Sequence, residues 1–190
     1  MAKYGVGQPV RRNEDPRLLT GRGKFNDDLP REGEAVGYVL RSPHAHADIR
    51  SIDTARASGM PGVLGVLTGQ DLADDGIGAF PGPPPFFASL TKPDGSPLIY
   101  PPQYALTSDR ARYVGDPVAF VIAETLDQAK DAAEAIEVDY APLPSVVGTD
   151  KAMDDGEVQL FDDVPKNFLF QAQIGDSEAT SKAFAEAAHV

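Results

Sequence analysis

The spacing of hydrophobic and polar residues changes period several times along this chain, and the cleanest change falls between residues 113 and 140. Val118, Ala119, Phe120, Val121, Ile122 and Ala123 form a nearly continuous apolar run, the pattern of a strand covered on both faces. Thr125 follows, with Gln128 three residues on. That is a capping-box spacing, in which the hydroxyl accepts from the Gln128 N–H and the Gln128 side chain reaches back. Leu126, Ala129, Ala132, Ala133 and Ile136 then share one helical face. Ile136, Val138 and Tyr140 alternate with Glu137 and Asp139, a switch to strand period. Pro142 and Pro144 end that strand, since neither has a backbone donor. The pattern predicts strand, helix, strand, with a helix long enough for a right-handed crossover between parallel strands.

A shorter unit of the same kind precedes it. Gly37 to Arg41 and Ile49 to Ile52 read as strands. Thr54 is placed to cap a turn or two of helix through Ala55 and Ala57, which Gly59 and Pro61-Gly62 end. Val63, Leu64, Val66 and Leu67 make the next strand, and Gly69 to Leu72 a turn or short helix. Residues 1–31 read as an extended arm with a strand or turn near Lys24-Phe25, anchored only by Leu18, Leu19 and Phe25. Residues 76–102 hold eight prolines and four glycines around Phe80, Phe86, Phe87 and Tyr100. This predicts a long irregular loop that serves as a lid or binding surface. Beyond Pro144 the chain is loop-like and acidic. Phe168 to Ile174 reads as a strand, and Gly175-Asp176-Ser177 opens a helix through Ala179, Ala183, Phe184 and Ala187. The apolar ending reads as a cut in mid-structure, so the chain is expected to be a fragment.

Composition narrows the function classes. At 190 residues and 42% hydrophobic, the chain is large enough for one domain with a real core. Acidic residues outnumber basic ones 29 to 17, a net charge of −12, which disfavours nucleic acid and anionic membranes as partners. No apolar run is long enough for a membrane span, and the polar start does not resemble a signal peptide. Cysteine is absent, so disulfides and cysteine-ligated iron–sulfur or zinc sites are excluded within this sequence. A cytoplasmic location is the default expectation.

Candidate chemistry is sparse. His44 and His46 are spaced for one face of a strand, but a metal pair lacks further ligands nearby and Pro43 puts them in a turn. They read as polar residues pinning that turn. Gly5-x-Gly7 and Gly21-x-Gly23 lack the strand and helix of a phosphate loop and read as turns. Asp127, Asp131 and Glu134 fall on one helical face, which reads as solvated; the alternative is a carboxylate hydrolase. Ser42, Ser51 and Ser58 have no nucleophile elbow around them. Pro83-Pro84-Pro85 reads as a rigid loop segment rather than a polyproline ligand.

Several strings in order carry a resemblance. They are Arg12-Asn13-Glu14-Asp15-Pro16-Arg17-Leu18-Leu19-Thr20-Gly21, Arg41-Ser42-Pro43-His44-Ala45-His46-Ala47, Met60-Pro61-Gly62-Val63, Thr68-Gly69-x-Asp71-Leu72, Arg112-Tyr113-Val114-Gly115-Asp116-Pro117-Val118-Ala119 and Val138-Asp139-Tyr140-x-Pro142-Leu143-Pro144. Together they resemble the N-terminal region of the large, molybdopterin-binding subunits of the xanthine dehydrogenase and aldehyde oxidase family, of the carbon monoxide dehydrogenase type. Gly115-Asp116-Pro117 departs mildly, since the family commonly has Gly-Glu-Pro there. The resemblance implies an α+β fold: an α/β-hammerhead domain over residues 32–147, a mixed sheet with two strand–helix–strand units. An extended arm over residues 1–31 precedes it, and a linker and the start of the molybdopterin-binding domain follow over 148–190. It implies a molybdenum hydroxylase acting on a small molecule (carbon monoxide, an aldehyde or an N-heterocycle) with oxygen from water. Molybdopterin would sit in the intact subunit, with FAD and 2Fe-2S clusters on flavin and iron–sulfur partner subunits. The family's pterin-contacting loops and catalytic glutamate lie downstream, so no catalytic, cofactor or metal residue is assigned here. Arg12, Asp15, Arg41 and His44 are the candidates for docking onto other domains or subunits, with local turn hydrogen bonds as the alternative. A free-standing hammerhead interaction module is the alternative function.

Overall fold

The computed structural model describes residue 7 and residues 12–82, 95–154, 156–170 and 175–189. The chain divides into two compact units, Met1–Ala35 and Val36–Val190.

The first unit is not extended throughout. Helix α1 spans Asp15–Leu19 with Pro16 in its first turn, where a missing N–H costs nothing. The Thr20 hydroxyl donates to the Pro16 carbonyl, and Gly21 at φ +69° ends the turn. Where a strand or turn was expected near Phe25, a 3-10 turn covers Asn26–Asp28, with the Asp28 carboxylate accepting the Phe25 N–H at 2.9 Å.

The second unit carries six strands, β1 Val36–Arg41, β2 Ala47–Asp53, β3 Val63–Thr68, β4 Arg110–Ala111, β5 Pro117–Ala123 and β6 Glu137–Pro142. Between them lie helices α2 Ala55–Ser58, α3 Gly69–Asp74 and α4 Leu126–Glu134; α5 Ser177–Glu186 follows. Both expected strand–helix–strand units are present. The sheet expected to be mixed is resolved into two three-stranded sheets, β1-β5-β3 and β4-β2-β6, whose pairings are all antiparallel. Neither helix is a parallel crossover. Instead α2 carries the chain from the second sheet to the first, and α4 carries it back. The two units therefore run antiparallel along their whole length, β2 against β6 and β3 against β5.

The core lies between the first sheet and α4. Ala119, Val121 and Ala123 of β5 meet Ala129, Ala132 and Ala133 of α4 and Ala57 of α2, with Leu40, Val63 and Val66 at the margin. Small side chains on both surfaces let helix and sheet approach closely, so the interior offers no slack for a larger residue. Leu126 was expected on this face but is 45% exposed, because it is the first residue of α4 and burial begins a turn later, at Ala129.

The caps also differ in detail from expectation. The Thr125 hydroxyl accepts from the Gln128 N–H at 3.3 Å, but the Gln128 side chain binds that hydroxyl rather than the Thr125 backbone. Thr54 makes no side-chain cap; the Asp53 carboxylate accepts the Ala55 N–H at 2.9 Å instead. The reciprocal box is at α3, where the Asp71 carboxylate accepts the Thr68 N–H at 2.7 Å and the Thr68 hydroxyl accepts the Asp71 N–H at 3.4 Å. At α5 the Asp176 carboxylate caps the Ala179 N–H at 2.9 Å. Phe168 to Phe170 form no strand; the rest of that expected strand, 171–174, lies outside the described residues, as do Pro83-Pro84-Pro85, Phe86 and Phe87.

Candidate functional site

The polar groups of the second unit concentrate where the β1–β2 turn meets the segment 107–117. A bulge at Leu40/Arg41 lets the β1–β5 pairing continue past the strand ends. Ser42, 2% exposed, donates its N–H to the Asp116 carbonyl at 2.9 Å and accepts from the Gly115 N–H at 2.8 Å. Gly115 sits at φ +93°, a left-handed conformation that L side chains rarely adopt, which turns the chain back so that Asp116 points inward. The Ser42 hydroxyl accepts from the His44 N–H at 3.0 Å and donates to the His44 carbonyl at 3.2 Å, closing the turn.

Asp116 is 8% exposed. One carboxylate oxygen accepts the Arg112 N–H at 2.9 Å. Burial pushes the Asp116 carboxyl above the usual aspartate range, and the Arg112 N–H, the Arg112 charge and the Tyr113 hydroxyl offset this only in part. The Tyr113 phenol is raised, first by burial and then by the Asp116 charge. The Tyr140 phenol is also raised, chiefly by burial.

Arg112 is the organising cation. Its guanidinium donates to both Asp109 carboxylate oxygens at 3.2 and 3.4 Å, to the Arg110 carbonyl at 3.1 Å and, through Nε, to the Leu160 carbonyl at 3.3 Å. It also lies 4.7 Å from the Phe161 ring centroid, a cation–π distance. Burial raises Asp109, yet the hydrogen bonds and charge of Arg112 leave it lowered overall. Asn167 holds the facing loop from the other side: its amide donates to the Ala152 and Val158 carbonyls at 2.9 and 2.8 Å and its oxygen accepts the Leu160 N–H at 2.9 Å. Between the two segments is a cleft of about 210 Å³ lined by Gln103, Tyr104, Thr107, Arg112, Asp116 and Phe161, among others.

This arrangement binds and braces. Among the described residues no group of three or more His, Asp or Glu side chains converges as metal ligands would. The Ser42 hydroxyl is spent on its own turn, and Asp127, Asp131 and Glu134 are exposed on α4.

The four docking candidates each make a contact within their own unit. Arg41 Nη1 donates to the Gly115 carbonyl at 2.9 Å, and the His44 ring tilts against Tyr140 with centroids 4.8 Å apart. Arg12 and Asp15, in the first unit, pair with each other at 3.3 Å. Sequence reasoning missed Asp116, Arg112 and Phe161, and read His46 as a polar residue pinning the turn after β1. His46 is 5% exposed, with Nδ1 2.7 Å from the Pro144 carbonyl and Nε2 buried without a partner. The signal for the first two was the Gly115-Asp116-Pro117 turn; nothing local marked Phe161.

Comparison with known proteins places these features. Residues 20–144 match the family model for the a/b hammerhead domain of aldehyde oxidase and xanthine dehydrogenase. The chain is 35% identical to the carbon monoxide dehydrogenase large chain of Afipia carboxidovorans, over 96% of this chain and 22% of that protein. It is 36% identical to the nicotine 6-hydroxylase large subunit of Paenarthrobacter nicotinovorans, over 97% of this chain and 21% of that protein. Among solved structures, quinoline 2-oxidoreductase from Pseudomonas putida 86 superposes with a TM-score of 0.69 at 38% identity, over 85% of this chain and 19% of that one. The chain thus spans about a fifth of the length of the curated relatives it matches.

Proposed function

The chain belongs to the aldehyde oxidase and xanthine dehydrogenase family through its hammerhead domain, and from that membership we propose that it is the scaffold and interface portion of a molybdenum hydroxylase large subunit. The reading is carried by one observation: a braced hammerhead fold that spans about a fifth of its relatives and in which, among the described residues, no set of metal-ligating side chains converges. The intact enzyme would hydroxylate a small molecule with oxygen from water. The substrate class is open, since the matched relatives are named for carbon monoxide, nicotine and quinoline. Its reducing equivalents would pass to 2Fe-2S and flavin groups on partner subunits, in the cytoplasm. No helix of the described residues is long and apolar enough to cross a membrane.

The cleft does not fit a phosphorylated pterin. Its one cation, Arg112, already donates to Asp109, Arg110 and Leu160, and the buried Asp116 carboxyl faces the same space and would repel a phosphate. In this reading molybdopterin sits in the remainder of the large subunit, and the residues here hold that body and its partners. Arg41 and His44, at the end of β1, and Arg12 and Asp15 remain the proposed docking residues.

The test is to purify the complex that carries this chain, measure molybdenum, and assay hydroxylation with and without residues 36–147. Molybdenum in the complex, and its loss on deletion, are expected. A molybdenum-free complex, or one that assembles and turns over without those residues, would overturn the proposal.

A further inference from the structure

The sequence holds two Asp–Pro bonds, Asp15–Pro16 and Asp116–Pro117. Such a bond carries its own nucleophile, because attack by the side-chain carboxyl on the adjoining main-chain carbonyl carbon closes a five-membered ring. It also carries a ready leaving group, since the proline nitrogen is a tertiary amide without an N–H and departs as a secondary amine once it gains a proton. The fold treats the two bonds differently. Asp15 lies in α1, partly exposed, with its carboxylate paired to Arg12 at 3.3 Å. Asp116 is 8% exposed, and the main chain is pinned on both sides of its bond.

The Ser42 N–H donates to the Asp116 carbonyl at 2.9 Å, and the Thr107 N–H donates to the Pro117 carbonyl at 2.8 Å. The first donor sits on the oxygen that gains negative charge when the Asp116 carbonyl carbon is attacked, the position of an oxyanion donor. The Arg112 N–H holds one carboxyl oxygen at 2.9 Å. Bond breaking also requires a proton for the Pro117 nitrogen, and the acid form of the carboxyl supplies one. Burial keeps that form to milder acidity than in an exposed aspartate, and the Asp109 charge acts in the same sense, while Arg112 and the Tyr113 hydroxyl oppose it. Tyr140 also senses the Asp116 charge. The cleft of about 210 Å³ that Asp116 lines gives water a route to the site.

We propose that Asp116–Pro117 is a self-cleaving bond, triggered by acid. A carboxyl oxygen of Asp116 bonds to its own main-chain carbonyl carbon, the carboxyl proton passes to the Pro117 nitrogen, and the carbon–nitrogen bond breaks. Pro117 becomes a free amine and Asp116 a cyclic anhydride, which one water molecule opens to two carboxyl groups. No other reactant is consumed. The two new ends stay in place, because β5 is paired with both β1 and β3 and Ser42 holds Asp116, so the break is read only after unfolding. The activity concerns the backbone of this chain and does not depend on the proposed function above.

The complex that carries this chain is incubated at about pH 7 and at the lowest pH that leaves its circular dichroism unchanged, then unfolded, and new ends at Asp116 and Pro117 are counted by peptide mass spectrometry. Asp15–Pro16 serves as the control bond in the same molecules. At the lower pH the folded protein is expected to break at Asp116–Pro117 roughly tenfold or more faster than at Asp15–Pro16, and to slow markedly at about pH 7. In urea at the lower pH the two bonds are expected to break at similar rates. Asp116→Glu, which needs a six-membered ring, and Asp116→Asn, which has no acid proton, are expected to stay whole. The rate is expected to be independent of protein concentration. Equal rates at the two bonds in the folded protein, or a faster break at Asp116–Pro117 in urea, show that the fold merely shelters the bond and overturn the proposal. Cleavage that persists in Asp116→Asn, or that grows with concentration, assigns the break to another molecule and overturns it as well.

Discussion

Gly62 and Gln128 lie so close that a β-carbon on Gly62 would overlap the Gln128 side-chain amide. Gly62 also sits at φ +78°, and its carbonyl accepts the Glu124 N–H at 2.9 Å. The two strand–helix–strand units are joined at this point, the loop before β3 against the start of α4. Gly62→Ala combines a left-handed backbone penalty with a steric one, and is expected to cost about 1–3 kcal/mol in urea unfolding. Adding Gln128→Ala removes only the steric part, so the double variant should recover some stability over Gly62→Ala. A double variant no better than the single would show that the overlap carries no weight.

Asp116 sets an unusual pH response. Its carboxyl is raised in the folded state, so as pH climbs from the ordinary aspartate range the unfolded chain ionises first and the fold loses stability until the raised value is passed. Asp71 and Asp109 are lowered and act in the opposite sense, their contribution present at neutral pH and lost on acidification. Asp116→Asn deletes the first response alone. The stability of the parent chain minus that of the variant should therefore fall as pH rises above the ordinary aspartate range. A difference that is flat or rises with pH would contradict the burial of this carboxyl as described.

Arg112 is the clamp between residues 109–112 and the loop at Leu160-Phe161. Arg112→Ala should cost about 1.5–3 kcal/mol, since it strands the Leu160 carbonyl and the Asp109 carboxylate. Arg112→Lys should rescue little, because an ammonium lacks the fork that reaches both partners. Hydrogen exchange of residues 156–167 reads the effect directly: that loop is expected to lose protection while β5 keeps its own. Uniform loss across the unit, or none, would show the clamp to be incidental.

The alanine core makes a prediction about size. Ala132 is fully buried between α4 and the first sheet. Ala132→Leu should destabilise by about 1–3 kcal/mol or more, because the close helix–sheet approach leaves no room for added methylenes. Ala132→Ser should cost less despite its polarity. Thermal unfolding that ranks serine below leucine would mean the interface has slack.

Local chemistry made much of this chain legible. The run from Val118 to Ala123, the alanine face of α4 and the alternation through Tyr140 each depend on a period that neighbours in sequence enforce, and all three elements stand where that period puts them. The turn from Ser42 to His46 was readable from its proline and short polar side chains. The cap geometry was half readable: Thr125 was the right residue, but the Gln128 side chain turns to the hydroxyl rather than the backbone and lies beside Gly62 of a distant loop.

What the sequence alone determined, then, is which stretches are strands and helices, which face of each is apolar, and that disulfides and thiolate ligands are excluded within it. Only the tertiary structure decided that the two strands of each unit part company into separate antiparallel sheets. The same holds for Arg112, which reaches across 48 residues to Leu160, and for Asp116, buried at the foot of a cleft. The reason is one of range. Periodicity and capping are set within a turn or two of backbone, whereas strand partners and buried charge pairs are chosen by competition among segments far apart in the chain, and a local pattern carries no record of that choice.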